Sequence, residues 1–304
     1  MDGLEAVEMK LSEVLKFNEV FRYDAEYFNK YAIELLRKIR DSSHIILKNE
    51  FEVSKLAGFE FTNYFTERNM ISADNYIALT SKNIQNETLV LTDVITIDRT
   101  VANNNLKRSK LFKGDIVLSY TGEYRRSLVL HEGNYQLGPN VCRIRKISSK
   151  INPFFLSTFF NSSIGQTILN KEKTLSAQPT VSMSRIRLIP VPITSNKFQD
   201  KIEKIISKSY LLNEESSSFY IKAETLFLDE LGLHKWHPTQ ANTEVKNFNN
   251  SFLQSGRLDA EYYQPKYDEV EFAIKNKQNI LKASQKSEPL MSEVFNQNIL
   301  KTEI

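Results

Sequence analysis

Residues 111–120 read Leu-Phe-Lys-Gly-Asp-Ile-Val-Leu-Ser-Tyr and indicate the fold class more clearly than any other part of the chain. The Lys-Gly-Asp step is typical of a tight turn, because glycine adopts backbone conformations that other residues avoid. The β-branched and apolar run after it predicts a strand at 116–120. We therefore expect this stretch to be a turn and strand of a small β-rich core.

Four further runs rich in β-branched and aromatic residues surround this strand, at 76–79, 88–97, 128–131 and 141–147. Turns with glycine or asparagine separate several of them, as in a small β-rich domain. Residues 152–161 predict a helix entered through Pro153, because proline is favoured in the first turn. Residues 166–173 predict a second helix. Residues 185–189 predict a strand that ends at Pro190-Val191-Pro192, which marks a boundary.

The charge of the chain is distributed unevenly. Its net charge is only +3, but residues 99–187 contain fifteen Lys and Arg against four Asp and Glu. This segment therefore carries +11 and the rest of the chain −8. A basic segment inside an acidic chain is typical of a surface that binds phosphates, which predicts a nucleic-acid partner. The alternative is a solvated basic face without a partner.

A short motif occurs twice. Residues 22–28 read Arg-Tyr-Asp-Ala-Glu-Tyr-Phe, and residues 257–263 read Arg-Leu-Asp-Ala-Glu-Tyr-Tyr, 235 positions later. A Lys-Tyr pair follows each copy, at Lys30-Tyr31 and at Lys266-Tyr267. Such ordered self-similarity predicts one full unit of about 235 residues and the opening of a second one.

Apolar residues recur every seven positions in the segment between the two copies. They are Phe198, Ile205, Leu212, Phe219 and Leu226. A sustained heptad favours a long helix that pairs with another helix as a coiled coil. The alternative is one amphipathic helix that folds back on its own domain.

Several of these segments, in the same order, resemble motifs of type I restriction-modification specificity (S) subunits. They are residues 111–122, 151–156, 161–165, Gln178, 185–192 and 258–263, together with the heptad helix. A complete S subunit has two target-recognition domains separated by two long helices that pair antiparallel. This chain departs from that pattern in having one such domain. It also departs at residues 123–126, Glu-Tyr-Arg-Arg, where the family often has small residues and glycine.

The resemblance implies a half-length or truncated S subunit of α/β (α+β) class, with a small β-rich domain followed by a long coiled-coil helix. Residues 1–195 would form the target-recognition domain with its N-terminal helical segment. Residues 196–235 would form the coiled-coil helix. Residues 236–304 would be the truncated start of a second repeat unit.

The function implied is sequence-specific recognition of one half of a bipartite target in double-stranded DNA, without catalysis. The implied partner is a methyltransferase subunit, which would carry S-adenosylmethionine, with a restriction or translocase subunit as a further partner. We expect a homodimer through the long helix and no cofactor on this chain. The chain lacks a long apolar run, so we also expect a cytoplasmic protein without a membrane contact.

Twelve residues are candidates for DNA contacts. Arginine forks suit guanine edges, and the candidates are Arg108, Arg125, Arg126, Arg143 and Arg145. Lysines suit phosphates, and the candidates are Lys107, Lys110, Lys113, Lys171 and Lys173. Tyr124 would contact a thymine methyl group or a sugar, and Gln178 would read adenine. Arg143 and Arg145 alternate on one predicted strand, so both should face the same side.

Two other functions are alternatives to DNA recognition. Asn152-Pro153-Phe154-Phe155 resembles the Asn-Pro-Pro-Tyr/Phe motif of adenine methyltransferases, but the second proline and a glycine-rich cofactor loop are missing. The single Cys142 and the four scattered histidines do not predict a metal site. The remaining alternative is a non-catalytic coiled-coil scaffold whose basic domain binds an acidic protein partner.

Overall fold

The computed structural model describes residues 8–17, 22, 24–85, 88–122, 125–148, 150–174, 176–231, 233–234 and 236–275. The chain divides into two compact units, Met1–Leu211 and Leu212–Ile304. The fold is a mixed α+β arrangement with several sheets and one long helix, which confirms the predicted class. None of the helices in the described part of the chain is long and apolar enough to cross a membrane.

The helices in chain order are α1 (Leu11–Phe17), α2 (Lys30–Asp41), α3 (Leu47–Glu50), α4 (Gly58–Tyr64), α5 (Glu67–Met70), α6 (Arg99–Asn105), α7 (Pro153–Asn161), α8 (Ser163–Lys171), α9 (Met183–Arg187), α10 (Asn196–Leu231), α11 (Phe252–Ser255) and α12 (Pro265–Lys275). The strands are β1 (His44–Ile46), β2 (Phe51–Lys55), β3 (Asn75–Leu79), β4 (Ile84–Gln85), β5 (Thr88–Leu89), β6 (Ile95–Asp98), β7 (Lys110–Leu111), β8 (Ile116–Ser119), β9 (Ser127–Val129), β10 (Tyr135–Leu137), β11 (Val141–Lys146) and β12 (Pro190–Pro192).

Two four-stranded sheets form the centre of the first unit, with strand orders β6-β3-β10-β7 and β2-β11-β8-β9. Side chains of β8 alternate between two hydrophobic cores. Ile116 and Leu118 pack in the core that contains Phe160 of α7 and Leu169 of α8. Val117 packs in the other core, with residues of the first sheet. Because β8 is buried on both faces, its sequence is continuously apolar rather than alternating.

Most of the predicted elements are confirmed. The runs at 76–79, 116–120 and 141–147 correspond to β3, β8 and β11, and the run at 128–131 overlaps β9. The run at 88–97 is divided into β5 and β6, and Asp93 between them has a positive φ of 59°. The helix at 152–161 is α7, and the Asn152 side chain accepts a hydrogen bond from the Phe154 N–H at its start. The second helix, α8, begins three residues before the predicted Gln166.

The strand predicted at 185–189 is wrong. Residues Met183–Arg187 form α9, and the Ser182 side chain caps its N-terminus by accepting from the Arg185 N–H. The edge strand is β12, which pairs with β1 although it contains two prolines. Backbone bonds from Leu47 N–H to Ile189 O and from Ile193 N–H to Ser43 O flank β12. The two prolines therefore occupy the alternate positions of β12, where a strand N–H points away from its neighbour.

The described residues of the two motif copies share the same local contacts. In the first copy, Arg22 forms a two-pronged ion pair with Asp24 and lies 4.9 Å from the centre of the Tyr27 ring. In the second, Arg257 pairs with Asp259 in the same way and lies 4.3 Å from the Tyr262 ring. The repeat detected in the sequence is therefore also a repeat of local structure.

The long helix α10 contains 36 residues, a length on the order of 54 Å. Its beginning is held to α7, because the Asn152 N–H donates to Gln199 at 2.7 Å and the Asn152 side-chain amide donates to Glu203 at 2.6 Å. Tyr210 stacks on His131 with ring centres 3.8 Å apart. The five heptad residues Phe198, Ile205, Leu212, Phe219 and Leu226 are 48–66% exposed. Their pairing with another helix stays a prediction.

Candidate nucleic-acid interface

Two arginines of β11 hold a basic loop, residues 107–113, in place. Arg143 Nη1 donates to the carbonyl oxygens of Arg108 and Lys110, at 2.8 and 3.1 Å, and Nη2 pairs with Glu52 at 3.1 Å. Arg145 pairs with Asp115 and also donates to the Lys110 carbonyl, at 3.2 Å. Both side chains therefore face one side, as the alternation predicts, and both support the backbone of the loop.

The environments of these two arginines differ. Arg143 is 3% exposed, and burial lowers its pKa, with the charge of Arg145 acting in the same direction and Glu52 opposing it. For Arg145, the hydrogen bond with Asp115 raises the pKa. The predicted guanine contact of Arg143 is not supported by this location, because its fork is occupied inside the domain. Its observed role is to position the basic loop.

The loop itself presents exposed cations. Lys107, Arg108 and Lys113 are exposed, while Lys110 is half-buried and its ammonium donates to the Tyr76 hydroxyl at 3.2 Å. That bond lowers the pKa of Tyr76. Three of the four predicted loop contacts are thus accessible to phosphates, and Lys110 is turned toward an aromatic ring.

A cleft of about 740 Å³ runs along β2, the edge strand of its sheet. Four cationic side chains line it, namely Lys48, Lys55, Arg108 and Arg187. Arg187 also donates to the edge carbonyl of Val53 at 2.6 Å. The cleft contains two carboxylates, but Glu52 accepts from Arg143 and Glu60 accepts from the Ala57 N–H. We call this cleft, with its four cationic side chains, the basic cleft.

Sequence reasoning missed Lys48 and Lys55. Both lie outside the basic segment 99–187, and an isolated lysine beside a short strand carries no sequence signal that separates it from any solvated lysine. The antiparallel pairing of β2 with β11, and the packing of α9 beside β2, bring these lysines to Arg108 and Arg187. The cluster is therefore a product of tertiary structure.

A second group of candidates lies at the tip of the β8–β9 hairpin. Thr121 forms a bridge with Thr180, and the Gly122 N–H donates to Pro179 O at 3.2 Å. Exposed Gln178 is thereby held beside this tip, where Arg126 is half-buried. Gly122 has a φ of 92°, a conformation that favours glycine. Tyr124 lies outside the described residues.

Arg125 lies inside the domain, not at its surface. Its side chain is 0% exposed, and Nη1 donates to the Asn170 side chain of α8 at 2.6 Å. Nε and Nη2 have no hydrogen-bond acceptor among the described residues. Burial lowers the pKa of Arg125. This location does not provide the direct guanine contact predicted from the sequence.

Lys171 and Lys173 hold the first copy of the motif instead of facing solvent. Lys171 is 8% exposed and its ammonium lies 3.1 Å from the centre of the Tyr27 ring. Burial lowers the pKa of Lys171 to about 8. Half-buried Lys173 pairs with Glu26 at 3.4 Å, and its carbonyl accepts from Arg22. The structure does not support the predicted phosphate contact of Lys171.

The described residues contain no group of three His, Cys, Asp or Glu side chains arranged to hold a metal ion. Cys142 is buried in β11, and burial raises the pKa of its thiol to about 12. At neutral pH this thiol is protonated and shielded from solvent.

No family model and no curated protein sequence matches the chain. Among solved structures, it is similar to the type I restriction-modification system S subunit from M. genitalium, with 14% identity and a TM-score of 0.41 over 62% of this chain and 44% of that chain. It is also similar to the type IIG restriction endonuclease BpuSI, with 9% identity and a TM-score of 0.43 over 60% of this chain and 28% of that chain. The chain spans less than half the length of either protein.

Proposed function

We propose that this chain is the sequence-specific DNA-recognition subunit of a type I restriction-modification system and that it is not itself catalytic. The observation that carries the proposal is the basic cleft beside β2, which adjoins the basic loop 107–113 through Arg108. DNA backbones are bound by exposed cations arranged along a surface. The order of the sequence motifs supports the assignment to the type I class.

The exposed cations contact DNA, and the buried ones support the backbone that carries them. The basic cleft, with Lys107 and Lys113, contacts phosphates and sets the register on the duplex. Arg126 and Gln178 read base edges from the hairpin tip, where arginine suits guanine and glutamine suits adenine. Buried Arg143 and half-buried Arg145 fix the backbone of the basic loop, through the carbonyls of Arg108 and Lys110.

The exposed heptad face of α10 pairs with the same helix of a second copy. Two recognition domains then lie on one complex, each reading one half of a bipartite target. Half-sites on one face of DNA are separated by multiples of about 34–36 Å, and α10, on the order of 54 Å long, exceeds one such separation. Residues 236–304 are the opening of a second repeat unit, as the shared local structure of the two motifs supports. A methyltransferase subunit supplies S-adenosylmethionine, and a restriction or translocase subunit is a further partner.

The exposed apolar residues of α10 also favour a second candidate function, a coiled-coil scaffold whose basic domain binds an acidic protein partner. The two candidates differ in the ligand of the basic cleft. If the protein is a scaffold, adding DNA should not weaken the binding of its protein partner.

Fluorescence anisotropy with a labelled DNA duplex tests the proposal. We expect the logarithm of the affinity to fall linearly with the logarithm of salt concentration, with a slope of about −0.9 for each phosphate contacted. Lys55→Ala and Arg108→Ala should each weaken binding and reduce this slope by about one. Lys204→Ala, which removes an exposed lysine of α10, is the matched control and should leave both unchanged. Binding that does not depend on salt would contradict the proposal.

A further inference from the structure

Arg125 is a buried guanidinium that forms no ion pair with a carboxylate of the described residues. Its only side-chain hydrogen bond is to the neutral amide of Asn170, and Nε and Nη2 have no acceptor among the described residues. Burial of an ionised group without a partner is strongly unfavourable, because the lost hydration is not replaced. The site that holds Arg125 therefore stabilises its charge poorly.

A second buried arginine in the same domain has an anionic partner, although its Nε also has no acceptor among the described residues. Arg143 is 3% exposed, yet it is paired with Glu52 and donates to two carbonyl oxygens. Arg143 thus has an anionic partner and a defined structural role. Among the described residues, the Arg125 guanidinium contacts neither a carboxylate nor a backbone carbonyl, so its charge has no structural role of this kind there.

The position of Arg125 suggests where its charge is used. It follows the hairpin tip and directly precedes half-buried Arg126. Gly122, on the same hairpin, is bonded to the loop that carries Gln178. A phosphate or a guanine edge approaching this tip offers the anionic or acceptor oxygens that the buried site lacks.

We propose that Arg125 leaves its buried site when DNA binds and becomes a specificity-determining contact at the hairpin tip. This inference rests on the proposed function, because it takes DNA as the ligand. In the free protein, the guanidinium has one hydrogen bond to lose, to Asn170, and the side chain must leave a fully enclosed position. In the complex, two bonds to DNA replace that single bond to a neutral amide.

The test compares Arg125→Met with Arg143→Met, both of which exchange a buried arginine for an uncharged chain of similar length. The ligand is a duplex enriched by the native protein from a random-sequence pool. Arg125→Met should raise the midpoint of thermal unfolding without DNA and weaken binding to the enriched duplex by about tenfold or more. Arg143→Met should lower the unfolding midpoint, because it removes the side-chain donor to the Glu52 carboxylate and the Arg108 carbonyl and one of the two donors to the Lys110 carbonyl.

NMR of the native protein tests the same inference without depending on the folding of a variant. The NMR signal of the Arg125 Nε–H is assigned as the signal that is missing from the spectrum of Arg125→Met. We expect this signal to shift, and its exchange with water to change, when the enriched duplex is added. An unchanged signal, or a variant that binds the duplex as tightly as the native protein, would overturn the inference. If the native protein enriches no sequence from the pool, the proposed function itself fails.

Discussion

At the scale of single residues, burial separates the cations that support the domain from those that face solvent. The sequence predicts Arg143 and Lys171 at the DNA surface, but both are enclosed by protein, where Arg143 contacts backbone carbonyls and Lys171 an aromatic ring. Lys55 and Arg187 were not expected there, and both line the basic cleft. A basic segment in a sequence thus predicts a phosphate-binding surface better than it predicts which of its residues make the contacts.

Lys171 makes stability depend on pH. Its pKa in the folded protein is about 8, below the ordinary value of 10.5, so the unfolded chain binds more protons between these two values. The free energy of unfolding should therefore rise as pH increases from about 8 to 10.5, by up to roughly 3 kcal/mol. Below pH 8 the lysine is protonated in both states and contributes no slope.

Urea unfolding at several pH values measures this dependence, with Lys171→Met as the variant that removes it. The variant keeps the apolar length of the side chain against Tyr27 and has no proton to bind. A native protein with the same slope as Lys171→Met between pH 8 and 10 would show that Lys171 is not the group responsible.

At the scale of elements, a short apolar pattern fits either a helix or a strand. Side-chain caps and close backbone contacts determine which of the two forms. The strands β3, β8 and β11 and the helix α7 could be predicted because each is a long run with clear turn or cap residues at its ends. The structure of residues 185–189 could not be predicted, because a pattern of five residues fits a strand or one turn of helix. The Ser182 cap stabilises the helix α9. The basic cleft could not be predicted, since it joins three chain segments, around residues 48–55, 108 and 187, that are more than fifty positions apart.

Gly165 shows how closely α7 and α8 approach. A Cβ at this position would lie 2.0 Å from the Phe159 carbonyl oxygen and 2.7 Å from the Phe160 Cα, both of which are backbone atoms. Gly165→Ala should therefore lower the free energy of unfolding by about 1–3 kcal/mol, although alanine favours helices.

Gly58→Ala in α4 is the matched control, because a Cβ there would meet nothing within 4 Å. We expect it to be neutral or stabilising by up to about 1 kcal/mol. Chemical unfolding of the two variants measures both values. Equal effects at the two positions would contradict the assignment of a close approach between α7 and α8.

At the scale of the whole molecule, the exposed heptad face of α10 must pair with a second copy if one complex is to carry two recognition domains. Leu212→Glu with Phe219→Glu places two carboxylates in this apolar face, so it should convert a dimer into monomers without unfolding the first unit. Ser217→Glu adds the same type of charge at an exposed position outside the heptad and should leave the dimer intact. Sedimentation equilibrium reports the mass directly, and a native chain that is monomeric throughout would contradict helix pairing.

The most direct test of DNA recognition is enrichment of duplexes from a random-sequence pool by the purified native protein, followed by sequencing. We expect two short sequences to be enriched, related by an inverted repeat and separated by a gap of constant length. Such a split site requires both base readout at the hairpin tip and a fixed distance between two recognition domains. A pool that remains random after repeated rounds at moderate salt would contradict sequence-specific recognition and favour the scaffold function.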